Sequence, residues 1–157
     1  MSIVGVISDT HGLLRVEALD ALAGSDFIIH AGDIGNITVL ERLREIAPVT
    51  AVRGNNDAGN WATAIPATTL LEVERMRFYV LHALGDLDRD PRASRFDVVV
   101  SGHSHRPAIT TRDGVVFLNP GSAGPRRFKL PIAVARVTIS DGVIRPEIIE
   151  LSIAGKA

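Results

Sequence analysis

Ile3-Val-Gly-Val-Ile-Ser-Asp9-Thr-His11-Gly12 and Phe27-Ile-Ile-His30-Ala-Gly32-Asp33 follow one design: an apolar run that ends abruptly in glycine and in side chains able to bind metals. A short apolar run without polar alternation marks a strand covered on both faces, as in a parallel sheet. Between the two runs Val16, Leu19, Leu22 and Ala23 recur at helical spacing and stop at Gly24, a candidate C-cap. After the second run Thr38 and Glu41 stand at capping-box spacing, and Leu40, Leu43 and Ile46 share one helical face. Pro48 ends that segment before a third apolar run, 49–52. The order is β-α-β-α-β, which predicts parallel strands joined by right-handed crossovers.

Beyond residue 65 the pattern changes to hairpins. Apolar runs at 70–73 and 78–81 flank a turn at Arg75, and Asp113-Gly114 and Asp141-Gly142 each sit between alternating segments as hairpin turns do. A fully apolar strand, 98–100, lies between them. The expected fold class is α/β, shading into α+β: a four-layer sandwich of two mixed β-sheets flanked by helices, the first sheet mostly parallel and the second mostly antiparallel. No linker or repeat divides residues 1–157, so one domain is expected; the stretch 85–97 is polar and shows little helical periodicity.

At 157 residues and 46% hydrophobic side chains, the chain can bury one ordinary core. Its 17 basic and 18 acidic side chains nearly cancel, which excludes general nucleic-acid binding, and 4% aromatics leave no stacking platform for single strands. Cysteine is absent, which excludes disulfides, thiolate zinc sites and cysteine nucleophiles. The amino terminus meets Asp9 without a basic n-region, and no run approaches the ~18 apolar residues of a membrane span. A cytoplasmic protein without membrane contact is expected.

The informative pattern is positional. Asp9 and His11 follow the first strand run, Asp33 the second, Asn55 the third, His82 the run at 78–81, and His103 and His105 the run at 98–100. Ligands bind at the carboxyl ends of strands in sheets of this kind. In an extended segment residues i and i+2 point to one side about 6.6 Å apart, so each Asp-x-His or His-x-His pair can offer two ligands to one cavity. Imidazole and carboxylate ligands without thiolate suit manganese, iron, zinc, nickel or cobalt.

Asp9-Thr-His11-Gly, Gly32-Asp33, Gly54-Asn55-Asn56-Asp57, His82 and Gly102-His103-Ser-His105, followed by Asn119-Pro-Gly-Ser122, resemble the ordered motifs of the calcineurin-like metallophosphoesterase superfamily, most closely its small single-domain bacterial and archaeal phosphodiesterases. The resemblance spans essentially the whole chain. It implies a hydrolase acting on phosphoric esters, with two divalent cations, manganese first among them, and a small phosphodiester as substrate. Asp9, His11 and His105 would hold one ion, Asn55, His82 and His103 the other, and Asp33 would bridge them. The implied nucleophile is a water or hydroxide between the ions. Asn56 stands where many members have a histidine that assists the leaving group; an amide can donate a hydrogen bond but cannot serve as general acid, so diesters with good leaving groups are expected to react best. The family usually has glycine directly after the histidine at position 82, whereas this chain reads His82-Ala-Leu-Gly85.

Around this set, His30 is expected to orient Asp33 rather than bind metal. Asn119 is a candidate support for the ligand histidines, and Arg126 and Arg127 are candidate substrate contacts, of which strand alternation would turn only one toward the site. Asp57 is expected to cap or brace the metal loop, and Trp61 to pack in the core or at the pocket rim. The same fold serves in the retromer coat as a protein-interaction subunit, so a non-catalytic scaffold is one alternative and a phosphomonoesterase another. Exposed hairpins leave room for a homodimer.

Overall fold

The structure, a computed structural model, describes residues 1–153. The chain runs β1 (Ser2–Ile7), α1 (Val16–Leu22), β2 (Phe27–His30), α2 (Ile37–Arg44), β3 (Val49–Ala51), the single turn α3 (Asn60–Thr63), β4 (Thr68–Val73), β5 (Met76–Leu81), a 3-10 turn (Leu84–Asp86), β6 (Val98–Val100), β7 (Ala108–Arg112), β8 (Val115–Asn119), β9 (Ala133–Ser140) and β10 (Val143–Glu150). No helix among the described residues is long and apolar enough to cross a membrane.

The opening β-α-β-α-β unit forms as its pattern predicts, with β1 parallel to β2 and β2 parallel to β3. One strand order is β10-β9-β1-β2-β3 and the other β4-β5-β6-β8-β7. Each sheet therefore holds two parallel and two antiparallel pairings, which corrects the expectation of one mostly parallel and one mostly antiparallel sheet. Burial supplies the reason. Val134, Ala135, Val137 and Ile139 are fully buried, so β9 needs neighbours on both sides and takes the free edge of β1, bringing the last hairpin into the first sheet. In the second sheet Val98–Val100 is equally buried and occupies the centre, where crossovers bring it parallel to β5 and β8.

Three apolar layers result. Val4, Val6 and Ile29 meet Phe78, Val80, Val98 and Val100 between the sheets. On the outer face of the first sheet, Ile7 and Ile28 pack against Leu22 of α1 and Leu40 and Leu43 of α2. The alternation of Ile28 and Ile29 between these layers is the period-2 rule of a strand covered on both faces. On the outer face of the second sheet Tyr79 stacks on Phe96 at 4.4 Å between ring centres, with Val99, Leu81 and Leu87 around them. The 83–97 segment covers this face with a 3-10 turn and loop in place of a helix, in keeping with its lack of helical periodicity.

Local signals hold with one exception. The loops Glu74-Arg75, Asp113-Gly114 and Asp141-Gly142 carry positive φ at both positions, the type I′ geometry that matches strand twist. Gly24, at φ +85°, follows the C-cap Ala23 of α1. The N-cap of α2, however, is Asn36, whose side chain accepts from Val39 N at 3.3 Å; the Thr38/Glu41 capping box is not used, because the helix has already begun at Ile37. Asn36→Ala should cost about 1 kcal/mol in urea denaturation, and Thr38→Ala much less.

Candidate metal centre

Loops leaving the carboxyl ends of β1, β2, β3, β5 and β6 meet at one edge of the two sheets. Their backbone is unusual: Asp9, His11, Asp33, His103 and His105 all have positive φ, between 47° and 72°. The paired ligands therefore converge through left-handed turns, which corrects the extended i, i+2 geometry expected from spacing. Each such residue costs on the order of 1–2 kcal/mol and persists only where its surroundings hold it. A ladder of backbone bonds does so: Asp9 N to Gly32 O at 3.0 Å, His11 N to Asp33 O at 2.9 Å and Gly12 N to Ile34 O at 2.8 Å. The approach requires glycine at Gly54, where a Cβ would strike the Asp33 amide nitrogen and carboxylate.

The carboxylate of Asp9 is divided in role. Its Oδ2 accepts from Ser8 Oγ at 2.7 Å and from His103 N at 3.0 Å. Its Oδ1 is buried without any hydrogen-bond partner, yet lies 3.4 Å from His105 Nε2 and 3.9 Å from both His11 Nε2 and His82 Nε2. Asp33 turns Oδ2 toward His82 Nε2 at 3.3 Å and His11 Nε2 at 3.8 Å. The ligand atoms of Asp9, His11 and His105 form one compact group and those of Asp9, Asp33 and His82 a second. His103 Nδ1 lies 3.2 Å from Asn55 Oδ1 on the more exposed side. A buried bare carboxylate oxygen among imidazole nitrogens fits divalent cations, since it would otherwise forfeit its solvation without return.

Outer contacts set the tautomers. His82 Nδ1 is 2.7 Å from the Ala31 carbonyl, which can only accept, so Nδ1 carries a proton and, when the ring is neutral, Nε2 presents its lone pair to the site. Burial pushes His82 down, but the Asp33 carboxylate 3.3 Å away, the Ala31 carbonyl and the charge of Asp9 outweigh it and raise its pKa. Burial likewise favours the neutral form of Asp33; the close His82 imidazole, the hydrogen bond from the Asn56 backbone and the nearby His11 prevail and hold it well below the usual carboxylate range. His105 is lowered, by burial first, with Asp9 opposing and the Arg127 charge reinforcing the effect.

The remaining candidates fall into place around this cluster. His30 Nδ1 accepts from Gly32 N at 3.1 Å, so its Nε2 carries the proton and faces Thr10 Oγ1 at 3.0 Å. It thus ties the loop of Asp9 to that of Asp33 without touching the Asp33 carboxylate. Asn119 bonds the Gly102 carbonyl at 3.0 Å and Ser104 Oγ at 3.2 Å, supporting the backbone between the two histidines rather than their rings. Asn56 donates from its amide to Asp33 Oδ2 at 3.1 Å and from its backbone to Oδ1 at 2.9 Å. Asp57 accepts from Ile34 N, Gly35 N and Gly54 N, bracing two ligand loops. Trp61 packs against the helix layer. Arg126 and Arg127 are not on a strand, and both line one cleft with His11 and His105, so the alternation that would turn only one inward does not apply.

Sequence reasoning missed Ser8 and, although it singled out the Asn119-Pro-Gly-Ser122 motif, the role of that motif's serine. Ser122 Oγ donates to Asp9 O at 3.0 Å and Ser8 holds the Asp9 carboxylate. A hydroxyl at the end of an otherwise apolar buried run is the available signal for Ser8. The motif loop is expected from sequence to support the ligand histidines; Ser122 instead braces the backbone of Asp9, 113 residues away in the chain.

Residues 1–142 match the family model of the calcineurin-like phosphoesterase superfamily domain. The chain belongs to this superfamily. A probable metallophosphoesterase of Methanothermobacter thermautotrophicus is 34% identical over 148 residues, covering 86% of each chain. Phosphodiesterase YfcE of Escherichia coli is 34% identical over 140 residues, 73% of this chain and 76% of its own. Vps29 of Entamoeba histolytica, solved as a complex with zinc, superposes with a TM-score of 0.72 over 94% of this chain and 98% of its own; at 20% identity this likeness concerns the fold.

Within this superfamily member the buried His30 links stability to pH. Burial lowers its pKa from 6.5 to about 3, the charges of Asp57 and Asp33 opposing only in part. Between those values the unfolded chain binds a proton that the folded chain refuses. The contribution is therefore whole above pH 6.5 and is lost as pH falls toward 3. The limiting slope is about 1.4 kcal/mol per pH unit. In urea titrations of the metal-free protein, His30→Gln should lose stability less steeply than the wild type from pH 6.5 to 4.

Proposed function

We propose that the chain is a metal-dependent phosphodiesterase with a dinuclear centre. Asp9, His11 and His105 would hold one divalent cation and Asn55, His82 and His103 the other, with Asp33 serving both; Asp9 Oδ1 also lies within 4 Å of His11, His82 and His105. Manganese is the preferred ion, with zinc, iron, nickel and cobalt as competitors. The observation that carries this reading is Asp9 Oδ1, buried and unpartnered within 4 Å of three imidazole nitrogens.

Bound divalent cations supply Lewis acidity, acidifying water and drawing off charge that develops on a phosphoryl group. The chain's own residues prepare that chemistry. Ser8 and the His103 amide hold Asp9 so that one oxygen faces the cluster, while the Ala31 carbonyl fixes the tautomer of His82. Asn56 steadies both oxygens of Asp33 but has no acidic proton to give, so the leaving alkoxide departs without a general acid from this position. Two dications against two carboxylates would leave a net positive site, which suits an anionic phosphodiester.

Metal analysis of the purified protein, paired with hydrolysis of an aryl phosphodiester and the matching monoester in manganese, tests the reading. Bound metal is expected, with the diester cleaved at least about tenfold faster than the monoester. Absence of both metal and hydrolysis would overturn it. Bound metal without turnover of either ester would favour the scaffold reading, to which the Vps29 likeness lends the fold. Asp33→Asn should lower kcat/KM on the order of a hundredfold or more, the scale of losing a charge-stabilising group. Asn56→His should raise hydrolysis of alkyl esters relative to nitrophenyl esters; an unchanged ratio would show that this position does not set leaving-group preference.

A further inference from the structure

The cleft beside His11 and His105 has a cationic wall that the proposed chemistry does not use. Pro125, Arg126 and Arg127 form that wall, and the volume of about 200 Å³ leaves room for one small group. Among the described residues neither arginine pairs with a carboxylate, unlike Arg77, Arg89 and Arg136. Arg126 makes only a bond within its own loop, Nη1 to Leu130 O at 3.3 Å.

The segment that leads into the pair is held in place from below. Ser122 Oγ donates to Asp9 O at 3.0 Å, Ala123 N to Ser8 O at 3.0 Å, and Arg15 Nη2 to Gly124 O at 3.2 Å. At Gly124 a Cβ would run into the backbone of Asp9 and Thr10, so the loop lies directly on the segment that carries the site. The main chain is thereby registered against the Asp9–Thr10 segment two residues before Arg126.

A scissile phosphate must lie over Asp9 and Asp33, and neither lines this cleft. A group bound here is therefore a neighbour of the reacting phosphate. Past His103 on another side, the walls are largely Ala83, Leu84, Phe117 and Leu118, with Arg106, so the two ester arms of a diester would meet unlike surroundings. Guanidinium groups match phosphate oxygens in fork geometry, and unpaired they favour an anion.

Resting on the phosphodiesterase reading, we propose that this cleft binds a second phosphate of the substrate, so that the preferred substrates are phosphodiesters bearing a further phosphate, as in a nucleotide phosphorylated at a second position.

Calorimetric titration of the manganese-loaded protein with thymidine 5′-phosphate and thymidine 3′,5′-bisphosphate tests this. The bisphosphate should bind about tenfold more tightly, a preference that shrinks to about twofold or less in the Arg126→Ala/Arg127→Ala double variant and returns in part with lysine at both positions. Equal wild-type affinities, or a preference the double variant retains, would overturn the proposal. Retained thymidine 5′-phosphate binding and metal content show that the variant is folded. In parallel, thymidine 5′-(4-nitrophenyl phosphate) with and without a 3′-phosphate should show the same preference in kcat/KM, expressed mainly in KM. Failure to cleave either ester would count against the phosphodiesterase reading alone, because the calorimetric preference decides the cleft by itself.

Discussion

The unequal treatment of the two Asp9 oxygens is the constraint on which the site depends. Oδ2 is occupied by Ser8 Oγ and the His103 amide, so the carboxylate cannot rotate to satisfy its other oxygen. Oδ1 is left facing the Nε2 atoms of His11, His82 and His105, buried and without a hydrogen-bond partner. A carboxylate oxygen without solvent or partner is costly inside a protein, and the cost is offset when positive charge arrives. The fold thus keeps one unsatisfied acceptor among imidazole nitrogens, the arrangement that makes this a candidate cation site.

Holding that arrangement requires strain elsewhere. Five of the residues that approach the cluster carry left-handed backbone, which β strands do not supply, so the strand ends must hand over to turns immediately. The turns brace one another: the Asp9 loop bonds to the Asp33 loop through the main chain, His30 joins them from beneath, and Asp57 adds three backbone contacts from the β3 loop. Close packing of loops at an edge is possible because the strands beneath are buried on both faces and do not yield. Rigid sheets below and braced turns above leave the ligand side chains little freedom.

Much of this was legible in residue order. The apolar runs at β1 and β2, each closing on Asp and Gly, announced parallel strands with candidate metal-binding side chains at their carboxyl ends, and the Asp-Gly pairs placed two hairpins correctly. Other features were not legible because they depend on partners distant in sequence. Spacing suggested extended i, i+2 pairs, but the left-handed turns arise from loop-to-loop bonds that a local pattern cannot carry. Thr38 matched a capping pattern, yet Asn36 caps α2 because the tertiary path starts the helix at Ile37. The final hairpin was visible as a hairpin, while its membership of the first sheet followed from the burial of β9.

The sequence by itself determined which imidazole and carboxylate side chains gather at the candidate site, since strand ends follow from hydrophobic patterning and the residue types after them are simply read off. It also determined that no thiolate takes part and that Asn56 offers no acidic proton. Only the tertiary structure decided which Asp9 oxygen stays bare, which nitrogen of His82 faces inward, and that Arg126 and Arg127 share one cleft. The physical reason is range. Periodicity and turn chemistry act over a few residues, whereas hydrogen bonds such as Ser122 to Asp9 or His103 to Asp9 join segments about a hundred residues apart and exist only once both sheets have packed.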